Sequence, residues 1–390
     1  MKKKTACFLL LIVSTLFLHM AAFAETVTPS SENASPQYSQ YYKEQAEKSG
    51  ADRLPSKLPD ETRKILSELG VDNSDWNTIS SITPQNYFQR ILDVFTGKAK
   101  NPLHILASVI AVILLCALID GLKLSFGEKP LGGVMEMVGT LCICTIVVKP
   151  IVVCISDAAQ VIKASADFLL ACVPVLVAVM AAAGQAASAG SYHLLMVAAG
   201  NVISVFAAKA LVPMMNIFLA MSIVSAVSPS IKLGGLCNVM NKAVKWLMGL
   251  AMTLFTGLVT MHSFVAAAQD STGTKAAKFV VSSFVPIVGN ALGEALNTIN
   301  GCVKMLKSGV GAFGLLAGLF LFMPVLAECI LMMLTLMLCS GISQMFELDG
   351  MTGLLKASSD VLSTMLAILL CCMAILIIST VVMLVIGGAS

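Results

Sequence analysis

The sequence predicts an all-α fold: a polytopic transmembrane helical bundle of about eight spans, with a cleaved signal peptide and a small helical extracytoplasmic N-terminal arm. Three observations carry that expectation. Of 390 residues, 57% are apolar and only 12% charged, with a mean hydropathy of +0.88. A water-soluble domain must clothe much of its surface in polar groups, whereas lipid accepts apolar helix faces. The apolar residues also come in runs long enough to cross a bilayer. Finally, charge is segregated: residues 25–101 hold 20 of the 47 charged side chains, so a polar zone precedes an oily one.

Residues 1–24 read as a signal peptide. Lys2, Lys3 and Lys4 precede an apolar run over 6–18, and Ala22-Phe23-Ala24 supplies an A-x-A cleavage site. An uncleaved first membrane helix is the other reading; in both, the next residues start on the far side of the membrane. Residues 25–101 form the helical arm. Its first part, 25–40, is rich in Ser, Pro, Asn and Thr and reads as a disordered lead-in. Over 58–69, Leu58, Ile65, Leu66 and Leu69 predict a short amphipathic helix, with Asp60 and Glu61 at its positive end. Over 82–95, Thr83 can cap, Pro84 suits the first turn, and Tyr87, Phe88, Ile91, Leu92 and Phe95 form one stripe.

Residues 102–390 form the membrane domain. The first span is 102–119, followed by a loop over 120–130. The second, 131–153, is interrupted by Glu136 and Lys149-Pro150, and Asp157, Lys163 and Asp167 mark the next turn. A third span, 168–183, leads through a small uncharged link to 192–227, long enough for two spans divided near Lys209 and Pro213. Residues 228–245 are polar, 246–268 span with Trp246 at the interface, and 269–278 read as a loop. After the segment 279–307 come 309–326 and 329–346, separated by Ala327-Glu328, then a polar stretch over 347–360 and a last span over 361–386. Lys123, Lys129, Lys232, Lys242 and Lys245 fall on the inner side if the arm is outside. The C-terminus is outside if 279–307 spans, and inside if that segment lies flat or re-enters.

Charge and motif content exclude several function classes. Without the leader lysines the chain is neutral, so it lacks the basic face that binds nucleic acid. Cys116, Cys142, Cys144, Cys172, Cys329, Cys339, Cys371 and Cys372 lie inside apolar runs, as small hydrophobes do, and lack zinc-site spacing. There is no phosphate-binding glycine loop, zincin motif or nucleophile elbow, and His104, His193 and His262 stand apart. No catalytic, metal or cofactor-binding residue is expected, and no cofactor.

The candidates for function are lone charges in oily sequence. Glu136, Lys209 and Glu328 would each cost about 2.5–3.5 kcal/mol at mid-bilayer, so they face a bundle interior, a cavity or an interface, or they mark helix ends. Segment 279–307 has apolar residues at helical spacing and an opposite face carrying Asn290, Glu294, Asn297 and Lys304, with Pro286 and Gly289 breaking it early. That face would line a pore or re-entrant funnel, and Lys209 and Glu328 would extend the polar path; a helix lying in the headgroup plane is the other reading. Gly314-x-x-x-Gly318 would let two helices approach closely.

One stretch carries a resemblance. Thr274-Lys275-Ala276-Ala277-Lys278-Phe279-Val280-Val281-Ser282-Ser283-Phe284-Val285-Pro286-Ile287-Val288-Gly289-Asn290-Ala291-Leu292, followed by Gly301-Cys302 and Leu306-Lys307-Ser308-Gly309-Val310-Gly311, resembles the stage III sporulation protein AE family of endospore-forming bacteria. Ala166-Asp167-Phe168, Pro174-Val175-Leu176 and Lys209-Ala210-Leu211-Val212-Pro213 fit as well. The resemblance spans about residues 100–390 and is most specific over 270–311. It implies a multi-pass protein of the mother-cell (outer forespore) membrane, in a secretion-like channel linking mother cell and forespore. The implied partners are the other stage III sporulation A-operon proteins, including a separate ATPase, and the forespore-side protein Q. Two rivals stand beside it: a stand-alone secondary transporter or permease, and a membrane scaffold that recruits partners through the arm.

Overall fold

The computed structural model describes residues 36–74, 78–79, 82–126, 132–182, 189–190, 193–199, 202, 212–227, 234–284 and 289–386. The expected signal peptide, and the lead-in up to residue 35, lie outside them. The arm contains helix α1 (Pro36–Ser49), a 3-10 helix (Ala51–Lys57), α2 (Asp60–Glu68) and α3 (Pro84–Lys98). Helix α1 therefore starts inside the expected lead-in.

Local chemistry explains the arm's corners. At the end of α2, Gly70 takes φ +79°, its N–H donates to the Ser67 carbonyl at 2.9 Å, and the Val71 N–H donates to the Leu66 carbonyl at 2.9 Å. This is a Schellman stop, and buried Val71 and Leu66 supply its apolar contact. Arg63 reaches back from α2 to the carbonyls of Pro55, Ser56 and Leu58, which end the 3-10 helix. Thr83 sits at the N-cap of α3 with Pro84 behind it, but its side chain makes no capping hydrogen bond.

The membrane domain is built from longer helices than the sequence suggests: α4 (Lys100–Phe126), α5 (Gly132–Ala182), α6 (Val212–Val227), α7 (Gly234–Phe284), α8 (Gly289–Met345) and α9 (Asp349–Ile386). Among the described residues, five helices are long and apolar enough to cross a membrane, with a shorter apolar helix at Pro213–Ser225. The expected count of about eight is not reached among them: some expected loops are helical, and most of the span expected over 192–211 lies outside the described residues. The turn at Asp157, Lys163 and Asp167 lies inside α5, and Ala327-Glu328 lies inside α8. The segments 120–126, 234–245 and 269–278 are helical too, and α9 takes in most of 347–360.

Side-chain burial gives the reason in α5. Ile151, Ile155, Ala158, Ile162, Ala166, Leu169, Val173, Leu176 and Met180 are buried at three- or four-residue spacing. One helix face therefore stays covered straight through the charged region. Ser156, Gln160, Lys163 and Asp167 lie together on the exposed opposite face. Lys163 and Asp167 therefore mark a helix side, not a helix end.

Two apolar cores stack along the bundle. One joins α4, the first half of α5, α6, the start of α7, the second half of α8 and most of α9, around Ile113, Ile143, Cys339, Leu355 and Leu362. The other joins the arm to the second half of α5 and the first half of α8, around Leu54, Leu66, Tyr87, Phe168, Phe313 and Phe320. Tyr87 of α3 meets Phe320 edge-on, with ring centroids 5.4 Å apart. Of the expected stripe, Tyr87 and Ile91 thus pack on membrane-domain helices, whereas Phe88 and Leu92 stay exposed.

Candidate functional site

Where the two cores meet, the chain gathers charge. Lys98 ends α3, Glu61 sits in the first turn of α2, and Glu328 and Asp157 come from the middles of α8 and α5. Lys98 Nζ lies 3.2 Å from Glu61 Oε1 and 4.0 Å from Glu328 Oε2. Asp157 interacts electrostatically with Lys98, Glu61 and Glu328. One ammonium thus serves three carboxylates contributed by arm and bundle. Beside them lie the buried, free thiols of Cys154 on α5 and Cys329 on α8. Lys98 supplies part of the counter-charge beside Glu328, and α8 carries that residue through apolar surroundings without a break. Chemically the node is an ionic clasp between the arm and two inner helices.

Two further polar contacts tie α9 to its neighbours, one to α5 at its start and one to α7 farther along. The Glu136 carboxylate accepts the Gly350 N–H at 2.5 Å, satisfying a free donor at the N-terminus of α9. Gly350 sits close against both side chains: a Cβ there would lie 3.0 Å from Thr140 Oγ1 and 3.2 Å from Glu136 Oε1. Gly139 makes room in the same way for Met351 and Cys116. Higher up, the fully buried Thr364 hydroxyl lies 2.8 Å from Asn241 Oδ1 on α7 and 2.9 Å from the Asp360 carbonyl. The sequence flags neither Asn241 nor Thr364, since each is a single polar residue whose partner is far away in the chain.

The sequence-predicted residues do not converge on one place. Glu328 is in the ionic node, and Glu136 caps α9. Gly314 and Gly318 face α9 instead: a Cβ on Gly314 would lie 3.0 Å from Thr380 Cγ2, and one on Gly318 would overlap Leu376. The backbone of Asn290, Glu294, Asn297 and Lys304 belongs to the first turns of α8, but their side chains lie outside the described residues, as does Lys209 altogether. Helix α7 ends at Phe284 and α8 begins at Gly289, so 279–307 divides between two long helices; Pro286 lies outside the described residues. Among the described residues no group of three His, Cys, Asp or Glu side chains is placed to hold a metal ion.

Comparison with known proteins places this architecture. The family model for stage III sporulation protein AE matches residues 75–387. The stage III sporulation protein AE of Bacillus subtilis (strain 168) is 23% identical over 257 residues, which is 66% of this chain and 63% of the relative. The chain therefore matches less than two thirds of that relative's length. No solved structure matches. With most of its length accounted for by that one family model, this chain belongs to the stage III sporulation protein AE family.

Proposed function

We propose that the chain is an integral-membrane component of the multiprotein, secretion-like channel that links mother cell and forespore during sporulation, set in the mother-cell (outer forespore) membrane. The observation that carries this reading is the family match over residues 75–387, joined to five helices with the length and composition of membrane spans. Its partners would be the other stage III sporulation A-operon proteins, including a separate ATPase, and the forespore-side protein Q. The chain would act as a membrane element of the assembly, with no chemistry of its own.

The geometry supports this above a stand-alone permease. A permease reading drew on Glu328 as a free charge in a solute path, yet Glu328 is only 18% exposed at its side chain and is engaged by Lys98. Affinity purification of the tagged chain from sporulating cells in mild detergent is expected to recover the operon's other products and the ATPase. Recovery of none of them would overturn the proposal. Gradient-driven uptake by vesicles containing this chain alone would favour the permease.

A further inference from the structure

We propose that helix α3 of the N-terminal arm lies against lipid, with Phe88 and Leu92 as its bilayer-facing side chains. The helix has three sides. Tyr87, Ile91 and Val94 turn toward the bundle, where Tyr87 is 9% exposed and meets Phe320. Gln85, Asn86, Gln89, Asp93 and Thr96 form an exposed polar side. Between them Phe88 and Leu92, one turn apart, are 61% and 58% exposed. An arm standing in water would have no reason to leave a large aromatic and a large aliphatic side chain bare side by side, when the helix already has a buried face.

Continuity with the surface of the first span identifies the occupant. Only Ala99 separates α3 from α4, its backbone is right-handed helical (φ −73°, ψ −23°), and the Leu103 N–H donates to its carbonyl at 3.1 Å. Leu103, Leu114, Leu115 and Leu118 of α4 are bare in the same way, so apolar surface runs from Phe88 down onto a transmembrane helix. The core layer that holds Tyr87 also holds Val259 of α7, and on that side Leu254, Leu258 and Met261 are bare. The layer containing α3 is thus bordered elsewhere by surface fit for acyl chains. Nor does the charge beside Phe88 suit a protein partner: Arg90 is already engaged by Glu68 and Asp93. An amphipathic helix in this setting seats its apolar side at the acyl boundary and its polar side toward water.

The inference rests on the membrane placement of the chain, and the test keeps the two apart. The chain has two tryptophans, Trp76 and Trp246. Full-length protein with Trp76→Phe, Trp246→Phe and Phe88→Trp is reconstituted alone into phosphatidylcholine–phosphatidylglycerol vesicles, with and without lipid brominated on its acyl chains. The reporter at position 88 is expected to emit at short wavelength, to be quenched by the brominated lipid, and to resist aqueous iodide. Leu92→Trp, in the same background, is expected to behave alike and serves if the first variant fails to insert. Quenching by iodide and not by brominated lipid would overturn the proposal in favour of a water-facing arm. Protection from both would overturn it in favour of a protein, such as a second copy, on this face. Protein carrying Trp246 alone is the control: bromine quenching there with none at 88 or 92 rejects the proposal only, whereas its absence at all three rejects the membrane reading as well.

Discussion

The carboxylate of Glu136 on α5 closes the N-terminus of α9 by accepting the Gly350 N–H, across 214 positions of sequence. A helix start leaves donors without intrahelical partners, and one acidic side chain there also answers the positive end of the helix. Glu136→Ala should therefore lower stability by about 1–2 kcal/mol, the range of a lost cap or charged hydrogen bond. Glu136→Gln keeps an acceptor oxygen and loses only the charge, so its loss should be smaller. Thermal unfolding of both variants in one detergent checks the order; equal losses would show that the Gly350 contact contributes nothing.

Gly318 predicts a steric effect. A Cβ there would overlap the Leu376 Cδ2 methyl, so the Leu376 side chain has to shift once any side chain is added at 318. Gly318→Ala should destabilise by about 1–3 kcal/mol, as overpacking does. Leu376→Ala should cost stability alone but relieve the clash in the double variant. The cycle should then show a coupling of about 0.5–3 kcal/mol with the sign of rescue. Additive losses would mean that the helices separate freely at this point.

How far the sequence disclosed this fold depends on the range of each interaction. The arm's α2 was legible because acids at its start, an apolar stripe and Gly70 at its end are all local signals. The membrane character was legible from composition alone. The lengths of α5 and α8 were not, because Asp157 reads as a turn marker and Glu328 as either a helix end or part of a polar path, while the cation beside them, Lys98, comes from another element. Lys163 and Asp167 misled for a different reason: they lie on an exposed face whose opposite side is continuously buried. Pairings such as Asn241 with Thr364 arise only once α7 and α9 are side by side.

The ionic node predicts how the arm is held. Removing Lys98 leaves Glu61, Glu328 and Asp157 as mutually repelling carboxylates at one junction. Lys98→Leu should therefore loosen α2 and α3 from the bundle and speed proteolysis at the arm, while Lys98→Arg should preserve resistance. Each surface-accessible ion pair is worth about 0–1 kcal/mol by itself, so the apparent melting temperature should move little. The discriminating readout is local: arm cleavage by a protease in vesicles, with membrane-domain fragments unchanged. Equal cleavage of the Leu and Arg variants would show that apolar contacts such as Tyr87 with Phe320 hold the arm without the node.

The turn between α8 and α9 makes a prediction of opposite sign. Glu347 takes φ +57°, while the Leu348 N–H donates back to the Ser343 carbonyl at 3.2 Å and the Glu347 N–H to Gln344 at 3.2 Å. This is the helix stop seen after α2, but with glutamate where α2 has Gly70. A left-handed backbone costs an L-residue about 1–2 kcal/mol, while glycine loses about 0.5–1 kcal/mol in unfolded-state freedom. Relief should exceed that loss, so Glu347→Gly should stabilise by about 0.5–1 kcal/mol, and Glu347→Val should destabilise because a β-branched side chain fits the conformation worse. Gly70→Ala imposes the same strain on the arm and should lower stability. Melting curves for the three variants in a single detergent test the argument. A glycine at 347 that lowers the midpoint would mean that the Glu347 carboxylate, at the start of α9, contributes more than its backbone geometry costs.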